Sequence, residues 1–267
     1  MRHEFPRTSF AIATLLCVAM LAMPRAALCR ELQGVYLGRM LIGWDIADLP
    51  ENSSIEEQID AGRKQLAAER GIDEALDSNR EVFEYFNDLV ARLVAGSDQK
   101  PAFPISVHVS STPVQDAFAM PGGQIMLYEK MFDTTDNEAQ LVSVIAHEVG
   151  HELHNDFMVF WHDYKHNVDV DGPGGALEQS VKLEAAADLT GARLMYDAGW
   201  DPNGMVELFQ RFHKFGVMAR HGRPDYYSSH PAEAKRAEPI EALIATLPPK
   251  PGLIEDSPRF DELKQKY

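Results

Sequence analysis

The chain has 267 residues, of which 45% are apolar and 25% are charged, a composition typical of a globular protein with a substantial buried core. Its formal net charge of -16 argues against a nucleic-acid partner, because binding to phosphates requires clustered lysine and arginine. No basic stripe interrupts the acidic sequence. The composition therefore excludes nucleic-acid binding as the expected function, and leaves enzymes and protein-binding modules open.

The first thirty residues differ from the rest of the chain. Arg2 and Arg7 precede an apolar run over residues 10–23, and the small-residue segment "ALC" ends at Cys29. This order is typical of a secretory signal, so we predict a signal peptide at residues 1–29 and an exported, periplasmic protein. The run is shorter than the ~20 residues of a spanning helix. An uncleaved N-terminal anchor with peripheral membrane association is the alternative.

Both cysteines of the chain, Cys17 and Cys29, lie inside this segment. The mature protein is therefore expected to contain no disulfide although it is exported. Lipid attachment at Cys29 is a minor alternative, because Leu28 precedes that cysteine where a small residue would be expected.

Local patterns in the first half of the chain predict two helices and a small sheet. Ser53 and Glu56 are spaced as a capping box that opens a polar helix. An apolar stripe over residues 82–94 predicts a second helix that ends near Gly96. Alternation in "ISVHVSS" predicts a strand, and "AFAMPGGQIMLY" predicts two more extended pieces around a Pro-Gly-Gly turn.

The second half is predicted to be helical. A histidine-rich helix follows Thr135, a long helix covers residues 176–198, another starts after Pro202, and a last one runs from the His-Pro pair at 230–231 to about Leu247. We predict one domain over residues 30–250, with a core at about 75–247. Residues 251–267 are expected to form an extended or loosely packed tail.

The segment "VIAHEVGHELHND" carries the pattern His-Glu-x-x-His. Residues four apart share a helical face, so His147 and His151 can reach one metal ion from consecutive turns. Catalytic zinc usually takes three protein ligands and leaves one position to water, whose proton Glu148 could accept. The pattern alone also fits a solvated helix face. The apolar neighbours Val144 and Ile145 favour a buried helix, whose histidines then need partners such as a metal.

The third ligand is expected on a later helix. The metzincin pattern requires glycine at position 154 and histidine at position 157, but this chain has His154 and Phe157. A gluzincin takes a glutamate instead, and Glu184 lies among small alanines that allow close helix approach. Asp188 follows one turn later, where it could accept a hydrogen bond from a ligating imidazole. His154 is expected outside the ligand set, because a fourth ligand would close the site. The alternative is an exposed acidic helix edge.

Several separated segments together resemble one family. "AFAMPGGQIMLYEKMF", "HEVGHELHND", "EAAAD", "YDAGWDPNGMVELF" and "SSHPAEAKRAEPIEAL" are similar to the gluzincin metallopeptidases of the HtpX, Oma and CAAX-prenyl-protease type. The likeness covers about residues 75–245 and is closer to the small exported bacterial members without multiple membrane spans. It implies a predominantly helical α+β zincin fold with a small antiparallel sheet beside the active-site helix.

The resemblance also implies roles for individual residues. His230 matches a histidine that approaches the zinc, either to stabilise the oxyanion or to occlude the site, and Arg236 matches the arginine that follows it. Phe118 and Ala119 match the strand edge along which a peptide substrate pairs. The paired ligands, the base, the third ligand and its acidic neighbour correspond to His147, His151, Glu148, Glu184 and Asp188.

The function predicted from these residues is zinc-dependent endopeptidase activity on unfolded or misfolded envelope proteins. One alternative is a latent protease that acts mainly as a chaperone or binding protein, with its zinc site plugged by His230. Another is a zinc hydrolase acting on a non-peptide bond, which the peptide-pairing strand disfavours. The latent form differs from the active protease because its metal has no coordination position open to water. The hydrolase differs from the protease in the bond that it cleaves.

Overall fold

The structure, a computed structural model, describes residues 49–72, 77–112, 116–159, 162, 175–216 and 236–267, all within one unit spanning Gly43–Tyr267. The predicted signal segment, residues 1–29, and His230 lie outside the described residues, as does most of the loop predicted after the histidine-rich helix. The described helices are α1 (Ile55–Ile72), α2 (Arg80–Gly96), α3 (Met131–Thr134), α4 (Glu138–His154), α5 (Gly175–Ala198), α6 (Asn203–Gly216), α7 (Ala237–Thr246) and α8 (Pro258–Lys266). The described strands are β1 (Ser106–Ser110), β2 (Ala117–Met120) and β3 (Gln124–Tyr128).

The predicted class, a predominantly helical α+β fold with one small sheet, is confirmed. The sheet itself is mixed and not purely antiparallel as expected. Its order is β1-β3-β2, with β2 antiparallel and β1 parallel to β3. The reason is that the β2–β3 hairpin folds back so that its second strand, and not its first, lies beside β1.

Side chains occupy the outer edge of β1. The amide of Asn87 donates to the carbonyl of Val107 at 3.2 Å and accepts from its N–H at 3.1 Å. The Val109 N–H donates to the Asp77 carboxylate at 2.9 Å, and the backbone N–H of Asp77 donates to the Val109 carbonyl. A further strand is therefore blocked on this side, so within the described residues β2 carries the open edge of the sheet.

Helix α1 packs on the turn between β2 and β3. A side chain at Gly62 would collide with the carbonyl of Pro121, and one at Gly122 would collide with the backbone of Ile59. The capping box of this helix lies one residue later than predicted, with the Ser54 N–H donating to Glu57 and the Glu57 N–H donating to Ser54. Helix α1 thus packs directly against the hairpin turn.

Helices α4 and α5 form the centre of the core. Glycines allow the two backbones to approach closely: an added Cβ at Gly150 would lie 2.8 Å from the Ala187 carbonyl oxygen, and one at Gly191 would lie 3.0 Å from the His147 nitrogen. Apolar side chains from α2, β1 and β3 complete the core around α4. This contact brings the histidine-rich helix against the helix predicted to supply the third ligand.

The C-terminal segment differs from the expected loose tail. Residues 258–266 form helix α8, which Ser257 caps by accepting the Phe260 N–H at 3.2 Å. Phe260 and Leu263 are fully buried in the main core, with the Phe260 ring 5.9 Å from that of Phe132. The charged residues that suggested a solvated end lie on the outer side of an amphipathic helix.

Among the described residues, no helix combines the length and the apolar content that crossing a bilayer would require.

Candidate metal centre

Helix α4 carries most of the candidate site and is buried along nearly its whole length. Asn137 caps its start by accepting the Gln140 N–H at 2.9 Å. The helix ends at His154, where Asn155 adopts the left-handed conformation with φ 53° and ψ 45°. Its apolar residues, among them Val144 and Ile145, are buried in the core as the sequence pattern predicted.

The structure brings together the three predicted ligands. The Nε2 atoms of His147 and His151 lie 3.0 Å apart, and Glu184 on α5 approaches both, with oxygens 3.4 and 3.5 Å from the two nitrogens. One ligand atom from each residue falls within 4.8 Å of the others. Within the described residues, these three side chains form the group of histidine, cysteine or acidic residues whose spacing could hold a metal ion.

Each histidine is oriented by a carboxylate on its other nitrogen. His147 Nδ1 lies 2.9 Å from Asp188 Oδ1, and His151 Nδ1 lies 2.7 Å from Asp156 Oδ2. A carboxylate only accepts, so both Nδ1 atoms carry a hydrogen, and in the neutral rings both Nε2 atoms present lone pairs. Asp188 therefore accepts a hydrogen bond from a candidate ligand imidazole, the contact that the sequence predicts for it.

The residues present fit a zinc ion. Two imidazole lone pairs that face each other at 3.0 Å, with a carboxylate beside them, repel one another unless a proton or a metal ion lies among them. Two imidazole nitrogens and one carboxylate oxygen are ligands that zinc takes in catalytic sites with three protein ligands. All three residues belong to two helices held at close range by Gly150 and Gly191.

Glu148 lies next to this cluster and is fully buried. Burial raises the pKa of Glu148 to about 7, against the lowering effect of His147 and His151 and together with the raising effect of Glu184 and Asp116. A carboxyl group with a pKa near neutrality can exchange a proton in either direction, as a general base must.

Arg236, just before α7, contacts both carboxylates of α5. Its Nε and Nη2 atoms donate to Asp188 at 2.7 Å each, and its Nη1 atom lies 3.1 Å from Glu184. Although burial raises the pKa of Asp188, the hydrogen bonds from His147 and Arg236 outweigh it and hold that pKa below its usual value. The guanidinium therefore keeps Asp188 ionised beside His147.

Sequence reasoning missed two acidic residues at this centre. Asp156 carries no ligand spacing, and the signal for it is the preceding Asn155, since an asparagine at a helix end often adopts the left-handed conformation that turns the chain back. Glu152, on α4, is buried and accepts the Gly123 N–H at 3.2 Å, which joins the active-site helix to the β2–β3 turn. No local pattern singles out Glu152, because the histidines at 151 and 154 make this end of the helix polar.

The remaining predicted residues lie near the cluster or outside the described parts. His154 is outside the ligand group and lies 3.0 Å from the Thr190 hydroxyl. Phe118 and Ala119 are half-buried on β2, which packs against α4. His230 is not among the described residues, so its predicted role stays a prediction.

Comparison with known proteins decides the family. Peptidase family M48 matches residues 79–168 and 159–244, which together make up more than half of the 267 residues. The chain belongs to this family. The match includes the His-Glu-x-x-His helix, the Glu184 helix and the segment with Arg236, and it begins after α1.

Individual relatives carry compatible names. The chain is 28% identical over 200 residues to the mitochondrial metalloendopeptidase OMA1 of Schizosaccharomyces pombe, an alignment covering 68% of this chain and 58% of that protein. It is 25% identical over 185 residues to the beta-barrel assembly-enhancing protease of Escherichia coli O157:H7, covering 59% of this chain and 36% of that protein. The chain thus spans less than two thirds of these relatives. The metallopeptidase class and the family predicted from the sequence are confirmed.

Proposed function

We propose that this M48 peptidase is a zinc-dependent endopeptidase whose metal is held by His147, His151 and Glu184. The observation that carries the proposal is the convergence of their ligand atoms within 4.8 Å on two closely packed helices. A zinc ion, when bound there, supplies a Lewis acid that polarises the scissile carbonyl and acidifies water. The chain's own residues supply the proton transfers and the orientation of the substrate.

Glu148 is the general base of the proposed reaction. Its carboxylate removes a proton from the attacking water and then passes that proton to the nitrogen of the leaving amine. The full burial of Glu148 supports this role, since burial raises its pKa towards the value at which both transfers are feasible. The neutral amide of glutamine has the same shape but cannot accept the proton.

Ala119 is the residue that pairs with the substrate backbone. The Tyr128 N–H donates to the Asp116 carbonyl at 3.3 Å, and paired residues alternate along an antiparallel ladder. By this alternation the backbone groups of Phe118 point towards β3, and those of Ala119 point towards the open edge. An extended peptide adding to that edge would run beside α4, with Phe118 contributing its side chain to the neighbouring surface.

The substrates are unfolded or misfolded proteins of the cell envelope. This assignment is supported by the predicted signal peptide at residues 1–29 and by the beta-barrel assembly-enhancing proteases among the relatives. The extended conformation needed for pairing at β2 also favours polypeptides without stable structure. We place the protein in the periplasm; the alternative is peripheral membrane association through an uncleaved N-terminal segment.

The Glu148→Gln variant tests the reaction. We expect wild-type protein to contain about one zinc ion per chain and to cleave unfolded casein, and we expect the variant to keep zinc and to lose cleavage by a factor of at least ~100. Both proteins are measured side by side by metal analysis and by release of casein peptides. A variant that cleaves at the wild-type rate would disprove the role of Glu148, and a wild-type protein that does not bind zinc would disprove the metal assignment.

His230 distinguishes an active enzyme from a latent one. If this histidine stabilises the oxyanion, the His230→Ala variant loses casein cleavage, by a factor that corresponds to roughly 3 kcal/mol for a well-placed donor. If it plugs the metal instead, the same variant becomes more active than wild type. The second outcome would support the alternative of a chaperone or binding protein with a latent protease site.

A further inference from the structure

Asp156 stands at the point where the chain leaves the histidine-rich helix. The preceding residue, Asn155, has the left-handed conformation, so the backbone turns back on the last turn of α4. This turn directs the Asp156 carboxylate to His151 Nδ1 at 2.7 Å. Asp156 is only 6% exposed, so the contact is shielded from water.

The contact decides which nitrogen of His151 faces the metal cluster. Because the carboxylate accepts the hydrogen on Nδ1, the neutral ring that binds a metal carries its lone pair on Nε2, which is 3.5 Å from Glu184 Oε1. A charged partner at 2.7 Å also fixes the plane of the ring. The ring of His151 is thereby oriented for metal binding before a cation binds.

Asp156 is itself held by two helices. His154 Nδ1 lies 3.7 Å from the Asp156 carboxylate, and the other nitrogen of His154 lies 3.0 Å from the Thr190 hydroxyl on α5. On the opposite side, the Asn155 amide donates to Gln58 on α1 at 2.9 Å. Helix α1 lies outside residues 79–244, which match peptidase family M48, so this part of the support comes from outside the matched region.

We propose that Asp156 is a positioning residue of the metal centre, which holds His151 in the tautomer and orientation that bind zinc. The inference rests on the proposed function, because it assumes that His151 is a zinc ligand. It adds a second carboxylate–histidine pair to the pair formed by Asp188 and His147. It also assigns α1 a task, since Gln58 holds the turn that carries Asp156.

The test compares zinc affinity of Asp156→Asn and Asp156→Ala with that of the wild-type 267-residue chain. Metal-free proteins are titrated with zinc against a chromogenic chelator at one pH. We expect the zinc dissociation constant to rise about 10-fold in the asparagine variant and about 100-fold in the alanine variant, the range found when such partners are removed. Asp133→Asn is the matched control, since Asp133 pairs with Lys130 on the exposed surface, and we expect no change there.

Two further readouts separate positioning from a structural role. The visible absorption of the cobalt-substituted protein reports ligand geometry, and we expect it to change in Asp156→Asn but not in the control. The melting temperature of the metal-free proteins reports the fold, and we expect Asp156→Asn, which is isosteric, to stay within a few degrees of wild type. If Asp156→Ala does not fold, the asparagine variant decides.

Two results would overturn the inference. One is unchanged zinc affinity and an unchanged cobalt spectrum in Asp156→Asn. The other is a lower melting temperature of the metal-free variants with wild-type zinc affinity, which would make Asp156 a helix-end residue only. A wild-type protein without zinc affinity would instead refute the proposed function, so the two failures are distinguishable.

Discussion

The guanidinium of Arg236 binds the carboxylate of Asp188 through two parallel hydrogen bonds, from Nε to Oδ2 and from Nη2 to Oδ1, each 2.7 Å long. The same Asp188 oxygen that accepts from Nη2 also lies 2.9 Å from His147 Nδ1. One carboxylate thus joins the segment before α7 to the histidine of α4. The third guanidinium nitrogen lies 3.1 Å from Glu184, so a single cation balances two buried acids.

We predict that Arg236→Met destabilises the protein by about 3 kcal/mol, because removing one member of a buried ion pair leaves its partner charge uncompensated. Arg236→Lys is expected to recover only part of this loss, since an ammonium cannot reproduce the bidentate geometry. Urea denaturation of the metal-free proteins measures both effects. Arg193→Met, which breaks the exposed pair with Asp197, should change stability little, and an equal loss in both methionine variants would contradict the prediction.

We predict that Glu152 positions β2, the strand along which the substrate is proposed to pair, and does not position the metal. Glu152→Ala removes the acceptor of the Gly123 N–H and loosens the β2–β3 turn relative to α4. We expect KM for casein to rise severalfold while the zinc dissociation constant stays within about twofold, since the loss of one such hydrogen bond corresponds to about 1 kcal/mol.

The matched control for this residue is Glu152→Gln. Its amide oxygen can still accept from Gly123, and burial already raises the pKa of the Glu152 carboxyl well above its usual value, so a neutral side chain suits the site. Steady-state kinetics and zinc titration of the two variants give the comparison. Loss of zinc binding in Glu152→Ala would show that the residue supports the metal instead.

Gly150→Ala is predicted to push α4 and α5 apart. The new Cβ would lie 2.8 Å from the Ala187 carbonyl oxygen, closer than real Cβ atoms approach a backbone atom. We expect a loss of about 1 to 3 kcal/mol in stability and weaker zinc binding, because Glu184 moves with α5 while both histidines stay on α4. Val181→Ala on the exposed side of α5 serves as the control, and unchanged zinc affinity in Gly150→Ala would refute the coupling.

Tyr85→Phe is predicted to lower stability without affecting catalysis. The buried Tyr85 hydroxyl donates at 2.7 Å to Glu138, which also accepts from Trp200 and Ser257. Removing one donor to this buried carboxylate should cost about 2 kcal/mol of unfolding free energy. Thermal and urea denaturation measure the loss, while zinc affinity and kcat should match wild type. A change in kcat under conditions where the variant is fully folded would contradict this prediction.

Local sequence was sufficient for most of the elements and for the placement of His147 beside His151. The spacing of four residues places His147 and His151 on one helix face because backbone hydrogen bonds set the helical repeat, whatever surrounds the helix. The apolar stripe of α2 follows the same helical repeat, and the strands around the Pro-Gly-Gly turn follow the two-residue alternation of extended chains. Glu184 and Asp188 could be proposed from their spacing, since their alanine neighbours indicated close packing.

Partners distant in sequence depended on tertiary structure. The contact of Arg236 with Glu184, the closure of the β1 edge by Asn87 and the burial of Phe260 arise from how elements pack, and no periodicity within a segment encodes them. The parallel pairing of β1 has the same origin, because strand direction follows the path of the hairpin.

Asp156 lies between these two cases. The sequence by itself determined that Asn155 and Asp156 follow His154 directly, and an asparagine can take the left-handed conformation at low cost. Only the tertiary structure decided that the turn delivers a carboxylate to His151, because Gln58 on α1 and Thr190 on α5 hold the turn and its neighbour His154 from outside the helix. Helical geometry places the two histidines on one face of α4. Tertiary packing supplies Asp188 and Asp156, which determine the nitrogen that each ring directs towards the cluster.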